Sequence, residues 1–190
     1  KYVSTMHMYF VITPPEATVE RGWQRGLERG RYKAVSDFLG HCVEAYDGMP
    51  RVFFKWLASP QPRFKYVFLD NSVPRHTPPE VVAHGTREVL HILEPLGLVD
   101  IERYKKINTA ATCPEEVYPG GDVLAVANNC TFLKQCLAKV PEVRFADHTS
   151  GKVYLSATAG RFAVEDAALL HAKRQDPELA ALLAALGVPD

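Results

Sequence analysis

The side chains best suited to chemistry in this chain are the arginines of Arg21-Gly-Trp-Gln-Arg25-Gly-Leu-Glu-Arg29-Gly-Arg31-Tyr-Lys33, an Arg-Gly pair repeated every four residues. A guanidinium is always charged, and its planar fork holds phosphate or carboxylate bidentately and stacks on flat rings. Each interior glycine costs a helix about 1 kcal/mol relative to alanine, so the segment is expected to lack an independently stable helix and to form a surface loop. If packing imposes a helix, the period of four puts the arginines on one face and the glycines on the adjacent one. Either conformation directs Arg21, Arg25 and Arg29 to one side. Lys and Arg contact phosphate while exposed aromatics stack on unpaired bases, so a basic loop beside aromatic strands suits RNA. The expected RNA-binding residues are Arg21, Arg25, Arg29, Arg31, Lys33, Arg63 and Lys65.

A thiol is the competing chemistry. Cys130 follows Asn128-Asn129 at a strand-to-helix junction, where a helix N-terminus lowers a thiol pKa. The C-x-x-C partner position holds Leu133, and Cys136 lies about 240° around the helix from Cys130. The four cysteines (Cys42, Cys113, Cys130, Cys136) have no zinc spacing, and free thiols in a reducing compartment are the expected state. Seven histidines (7, 41, 76, 84, 91, 148, 171) are scattered, and His84 and His91, two helical turns apart, lack a third ligand, so no metal site is expected. His148-Thr-Ser-Gly151 fits a hairpin turn. The chain contains neither a Walker A loop nor G-x-G-x-x-G, and neither a cofactor nor a small-molecule substrate is expected.

The composition is that of a globular protein: 22 Lys+Arg against 22 Asp+Glu, with 47% hydrophobic residues. Zero net charge argues against coating nucleic acid along the whole surface. The charge is uneven, however: ten basic residues against five acidic lie between Arg21 and Arg75, and five against seven in the last fifty residues. No apolar run reaches the roughly 18 residues of a membrane span, and no membrane association is expected. A cleaved targeting segment is one expected reason that the sequence opens on Lys1 rather than methionine, and a disordered or trimmed end is the other.

Several elements must position these groups. Met6–Thr13 is apolar at almost every position, which suits a central strand buried on both faces. Val35–Tyr46 carries a 3.6-residue apolar period and is expected to be a helix. Strands are expected at 51–57 and 64–69, and Thr77-Pro-Pro-Glu80 predicts a capped helix over 78–93. The order β-α-β-β-α is that of a thioredoxin-like core in an α/β domain. After a linker or arm at 96–121, with a short charged helix at 100–107, the pattern returns in shortened form. The strand-like run 122–127 precedes Phe132, Leu133, Cys136, Leu137 and Val140, which repeat the spacing of Phe38, Leu39, Cys42, Val43 and Tyr46 ninety-four residues on. Strands at 141–145 and 152–155 and helices at 162–172 and 177–186 complete it. The expected organisation is a thioredoxin-like domain at 1–95, the arm, and a second, smaller α/β unit at 122–190 that is a degenerate repeat.

The first half, residues 6–93, resembles the thioredoxin-like mitochondrial ribosomal protein family, which also includes a small accessory subunit of respiratory complex I. The resemblance is carried by Gly30-Arg31, Phe38-Leu39, Pro50-x-Val52 as a strand entry, a strand ending in Asp70-Asn71, and Thr77-Pro-Pro-Glu80-Val-Val as a helix start. It implies a non-enzymatic structural subunit of a mitochondrial ribosome, located in mitochondria, with ribosomal RNA and neighbouring ribosomal proteins as partners. The competing expectations are a thiol-dependent oxidoreductase using Cys130 and an accessory subunit of a respiratory complex.

Overall fold

The first apolar run forms a strand, β1 (Thr5–Ile12), and Pro14-Pro15 ends it. A computed structural model describes residues 4–60, 62–118 and 125–189. Two helices follow β1, α1 (Pro15–Arg29) and α2 (Val35–Ala58). Then come strands β2 (Arg63–Asp70), β3 (Glu80–Thr86) and β4 (Val89–Ile92), and helix α3 (Pro95–Arg103). Helix α4 (Thr131–Lys139) leads into β5 (Glu142–Ala146), β6 (Val153–Thr158), β7 (Arg161–Val164), α5 (Ala167–Lys173) and α6 (Pro177–Leu186).

The seven strands form one mixed sheet in sequence order. β1 and β2 are parallel, as are β4 and β5, and the remaining neighbours are antiparallel. The chain is therefore α/β. Residues 1–95 and 122–190, expected as separate units, contribute strands to the same sheet and side chains to the same core. In the 96–121 arm, α3 starts at Pro95 rather than 100, and Ile107, Ala111 and Val117 pack with Val19 and Leu39 in a small second core. The strand expected at 122–127 begins outside the described residues, and Val126–Asn128 is a 3-10 turn.

Three segments take a different secondary structure from the expected one. Residues 51–57 are not a strand: α2 continues through Pro50 to Ala58. The apolar stripe of its first half runs on through Tyr46, Pro50, Phe53, Phe54 and Leu57, all buried, while Arg51 and Lys55 share the exposed face four residues apart. Proline costs an interior hydrogen bond, and burial of this aromatic row offsets it. Phe53 alone lies within 6.3 Å, centroid to centroid, of Phe10, Phe54, Phe64, Tyr66, Phe68 and Phe132. Residues 78–93 are not a helix either but the hairpin β3–β4. Val81, Val82, Val89 and Ile92 are β-branched, and Gly85 lets the strands close where an added Cβ would meet the Val89 carbonyl oxygen at 2.2 Å. The helix expected at 162–172 is likewise a strand, β7, followed by the shorter α5.

β1 is at the edge of the sheet rather than its centre. Phe10 and Ile12 are buried on the face packed against helices, whereas Tyr9 and Val11, 63% and 45% exposed, lie on the open face. His84 and His91 stack across the hairpin, ring centroids 5.0 Å apart. No group of three metal-ligating side chains occurs among the described residues.

The internal repetition differs from the one the helix spacing suggests. Phe132 and Leu133 belong to the main core, but Leu39 lies in the second core and Phe38 against Gly22. Two amphipathic helices share a period regardless of their surroundings. The geometry repeats instead at an interval of 72. The Val82 carbonyl accepts from the amides of Leu93 and Glu94 at 2.8 and 3.0 Å, and the Tyr154 carbonyl accepts from those of Glu165 and Asp166 at 3.1 and 3.2 Å. Both carbonyls sit at register shifts, opposite Phe68/Leu69 and Phe145/Ala146. Glu94 and Asp166 then cap α3 and α5.

Candidate anion-binding cleft

Packing does impose a helix on the Arg-Gly repeat. α1 runs to Arg29, and Gly30 ends it with φ 64°, the left-handed conformation glycine adopts without strain. The glycine face packs: an added Cβ would come 3.1 Å from the Phe38 ring at Gly22 and 2.4 Å from the Tyr32 ring at Gly26. These close approaches offset the low helix propensity of glycine. The arginine face is thereby turned outward over the ends of β1 and β2.

There it lines a cleft of about 540 Å³ bounded by Thr13, Thr18, Arg21, Gly22, Arg25, Arg29, Phe38, Asn71, Arg75 and His76. β1 and β2 are parallel, and open α/β sheets bind ligands outside the carboxyl ends of such strands. The floor is fixed by reciprocal bonds: the Thr13 amide donates to the Tyr46 hydroxyl at 2.7 Å, which donates to the Thr13 carbonyl at 2.6 Å. The Asn71 side-chain amide donates to the Thr13 hydroxyl at 3.1 Å.

The arginines divide by role. Arg21 is half-buried, and its Nη2 donates to the carbonyls of Asn71 and Val73 at 2.9 and 2.6 Å, tying the β2–β3 loop to α1. Arg75, on that loop, forms a two-pronged pair with Glu28, one contact being Nη2 to Oε2 at 2.7 Å. The paired guanidinium holds the Glu28 carboxyl below its ordinary range. Beside it His76 adopts φ 70°, uncommon for a residue with a Cβ. Arg25, Arg29 and Arg31 are exposed and make no hydrogen bond or ion pair among the described residues. Their charge is available to an anion. Lys33 sits over the Phe38 ring, 5.5 Å from its centroid.

Two expected residues lie elsewhere. Arg63 and Lys65 are at the start of β2, opposite Thr5 and His7, with Arg87 and Glu88 nearby. From Arg63 to Asp70 a strand extends roughly 23 Å, so they are at the far end of the sheet from the cleft. The strand aromatics Phe64, Tyr66 and Phe68 are buried, as is Phe54 of α2. The sequence reading missed Thr13, Asn71, Arg75 and His76 as cleft residues; their signal is Asn71-Ser-Val-Pro-Arg-His76, a basic, proline-containing loop directly after a strand.

Cys130 is 2% exposed and its thiol donates to the Ala127 carbonyl at 3.3 Å. Cys136 is buried, which pushes its thiol pKa up, and all four cysteines are free. A second polar cluster lies beside α1. Burial pushes the Asp100 carboxyl up to about 6, opposed by the neighbouring Arg103 guanidinium and a 3.3 Å bond from the Tyr104 hydroxyl. Burial also raises Glu16.

Fold and cleft together define an α/β protein with an arginine-lined cleft on its surface. No family model, no curated protein and no solved structure matches the chain.

Proposed function

We propose that this chain is a non-enzymatic RNA-binding protein that seats phosphates in the arginine cleft. The observation that carries the reading is the convergence of exposed Arg25 and Arg29, which have no ion-pair partner among the described residues, with Arg21 and Arg75 at the carboxyl ends of two parallel strands. A periodic row of cations suits a periodic polyanion. Successive arginines on α1 are four residues, or about 6 Å, apart along the axis.

The narrower reading is a structural subunit of a mitochondrial ribosome, with ribosomal RNA at the cleft and neighbouring proteins elsewhere. It is supported by the resemblance over residues 6–93 through Gly30-Arg31, Phe38-Leu39 and Asp70-Asn71. The thioredoxin-like reading of the fold rests on the parallel β1–β2 pair joined through helices and on β3 antiparallel to β2; the edge position of β1 and the added strand β4 before α3 depart from it. The other features of the resemblance stand in different elements: Pro50-x-Val52 is inside α2, and Thr77–Glu80 leads into β3.

The cleft is tested with Arg25→Ala, Arg29→Ala and Arg31→Ala combined, leaving Arg21 to hold its loop. Removing up to three phosphate contacts should flatten the salt dependence of log K for a single-stranded RNA oligomer by about 0.7 per contact, with the fold intact by circular dichroism. An unchanged affinity and slope would overturn the RNA role of this surface. For the ribosomal placing, the native protein should sediment with a large particle and leave it after ribonuclease treatment.

A further inference from the structure

Three large apolar side chains remain exposed on and after α1: Trp23 (58%), Leu27 (63%) and Tyr32 (58%). They are neighbours. Trp23 and Leu27 are one helical turn apart, and the Trp23 and Tyr32 rings lie 5.6 Å apart at 55°. Tyr32 is seated on bare helix backbone, because Gly26 has no Cβ and one placed there would come 2.4 Å from the ring. The chain thus keeps an aromatic pair in solvent, with the Tyr32 ring fitted against Gly26, one helical turn before Arg29 and next to Arg31 in the sequence, and Trp23 on its far side from Arg29.

Charge selects the class of partner. Arg25, Arg29 and Arg31 are exposed and make no ion pair among the described residues, the carboxylate of Glu28 is engaged by Arg75, and that of Glu20, three residues before Trp23, accepts from the Gln24 side-chain amide at 3.3 Å. An anion with flat apolar groups fits both features. Aromatic rings beside a cationic track are how proteins hold unstructured strands, since every base has a face to stack. Of the sheet aromatics, Phe10, Phe64, Tyr66, Phe68, Phe145 and Tyr154 are inside the core, and exposed Tyr9 lies on the open face of β1, away from α1.

We propose that Trp23 and Tyr32 form a stacking platform for unpaired bases of a single-stranded RNA whose phosphates follow Arg29 and Arg31. The proposal rests on the phosphate-binding reading and adds that bases, as well as phosphates, are recognised. The glycine at 26 belongs to the platform, because it seats the tyrosine. A free nucleotide would fill one step of the surface, whereas a strand spans the arginine row and the aromatic pair.

The experiment uses the full chain carrying Trp56→Phe, which leaves Trp23 as the only tryptophan of the two in the sequence. It is titrated at fixed salt with oligoadenylate and, in parallel, with inorganic polyphosphate of matched charge. The strand should quench Trp23 fluorescence. Separate Trp23→Ala and Tyr32→Ala variants of the native sequence, followed by filter binding, should weaken the strand about tenfold with no change in its salt slope and no effect on polyphosphate. Binding of the strand without quenching, or equal losses for strand and polyphosphate, would overturn the platform while leaving the phosphate site standing. Failure of both anions to bind would instead remove the phosphate reading itself. Adenosine monophosphate binding as tightly as the strand would assign the platform to a free nucleotide. A blue shift on phosphatidylserine vesicles without quenching by RNA would assign it to a lipid surface. Either result overturns the proposal.

Discussion

The units β2-β3-β4-α3 and β5-β6-β7-α5 share one construction and differ in what surrounds it. Each is entered from a parallel neighbour through helices, each has a register shift at the same place, and each turns its last strand into a side-chain-capped helix. In the second unit the loop at 147–152 is short and its charges are used internally: Lys173 pairs with Asp147 at 2.5 Å, and Lys152 with Asp166. In the first unit the loop at 71–79 is longer and is held over the sheet by Arg21, with Arg75 and His76 at the cleft. Hairpin tips differ in the same sense. Ala159 and Gly160 both take positive φ in a tight turn, whereas Arg87 of the first hairpin donates to the carbonyls of Leu57 and Pro62 at 3.1 and 2.7 Å and staples the α2–β2 joint. A self-sufficient unit closes on itself; the unit with the longer loop, joined to α1, makes the site.

If the units share one core, damage at their junction should unfold both. Phe53→Ala should cost about 3–5 kcal/mol, because its ring touches β1, β2 and, through Phe132, the second unit. Urea unfolding followed by tryptophan fluorescence, which reports on the first half alone, and by far-ultraviolet circular dichroism should give coincident midpoints. Separated transitions would divide the core in two.

The units also differ in their acids. Asp147, beside Lys173 and Ser150, and Asp166, beside Lys152, are held below the usual carboxylate range, whereas burial raises Glu94 and Asp100. A depressed pKa gives stability that is present above the unfolded value near 4 and lost as pH falls through the folded one. A raised pKa has the opposite sign: the stability Asp100 contributes is full below its unfolded pKa of 3.8 and is lost as pH rises through about 6. Asp100→Asn should therefore flatten the stability change between pH 4 and 6 and stabilise the protein at pH 7 by about 1–2 kcal/mol. Unfolding midpoints across that range measure it; an unaltered profile would mean the carboxyl stays hydrated.

The smallest stability effect is expected at the glycine face. Gly26→Ala gains about 1 kcal/mol of helix propensity and loses the seat of Tyr32, an exposed ring free to move. Net stability should change by less than about 1 kcal/mol, while the near-ultraviolet circular dichroism of the Trp23–Tyr32 pair should diminish. A large destabilisation would show that the ring anchors the turn after α1.

The local pattern carried much of this structure. Strands β1 and β2, the α4–β5–β6 succession and α6, which spans Pro177–Leu186 as expected, follow from apolar period and capping residues. The arginine row of α1 follows from spacing alone, since residues four apart share a helix face in whatever setting. Tertiary contacts decided the rest. Whether Arg51–Leu57 became strand or helix depended on which neighbour its aromatics met, because alternation of charge and ring over seven residues also fits one side of a helix. Whether Thr77–Leu93 became a helix depended on β2 and β5 offering backbone partners, which no local cap records. The cleft lay furthest from view: Arg21, Asn71 and Arg75 meet only because β1 and β2 are parallel and end together, and the partners of a strand are set by side chains far away in sequence.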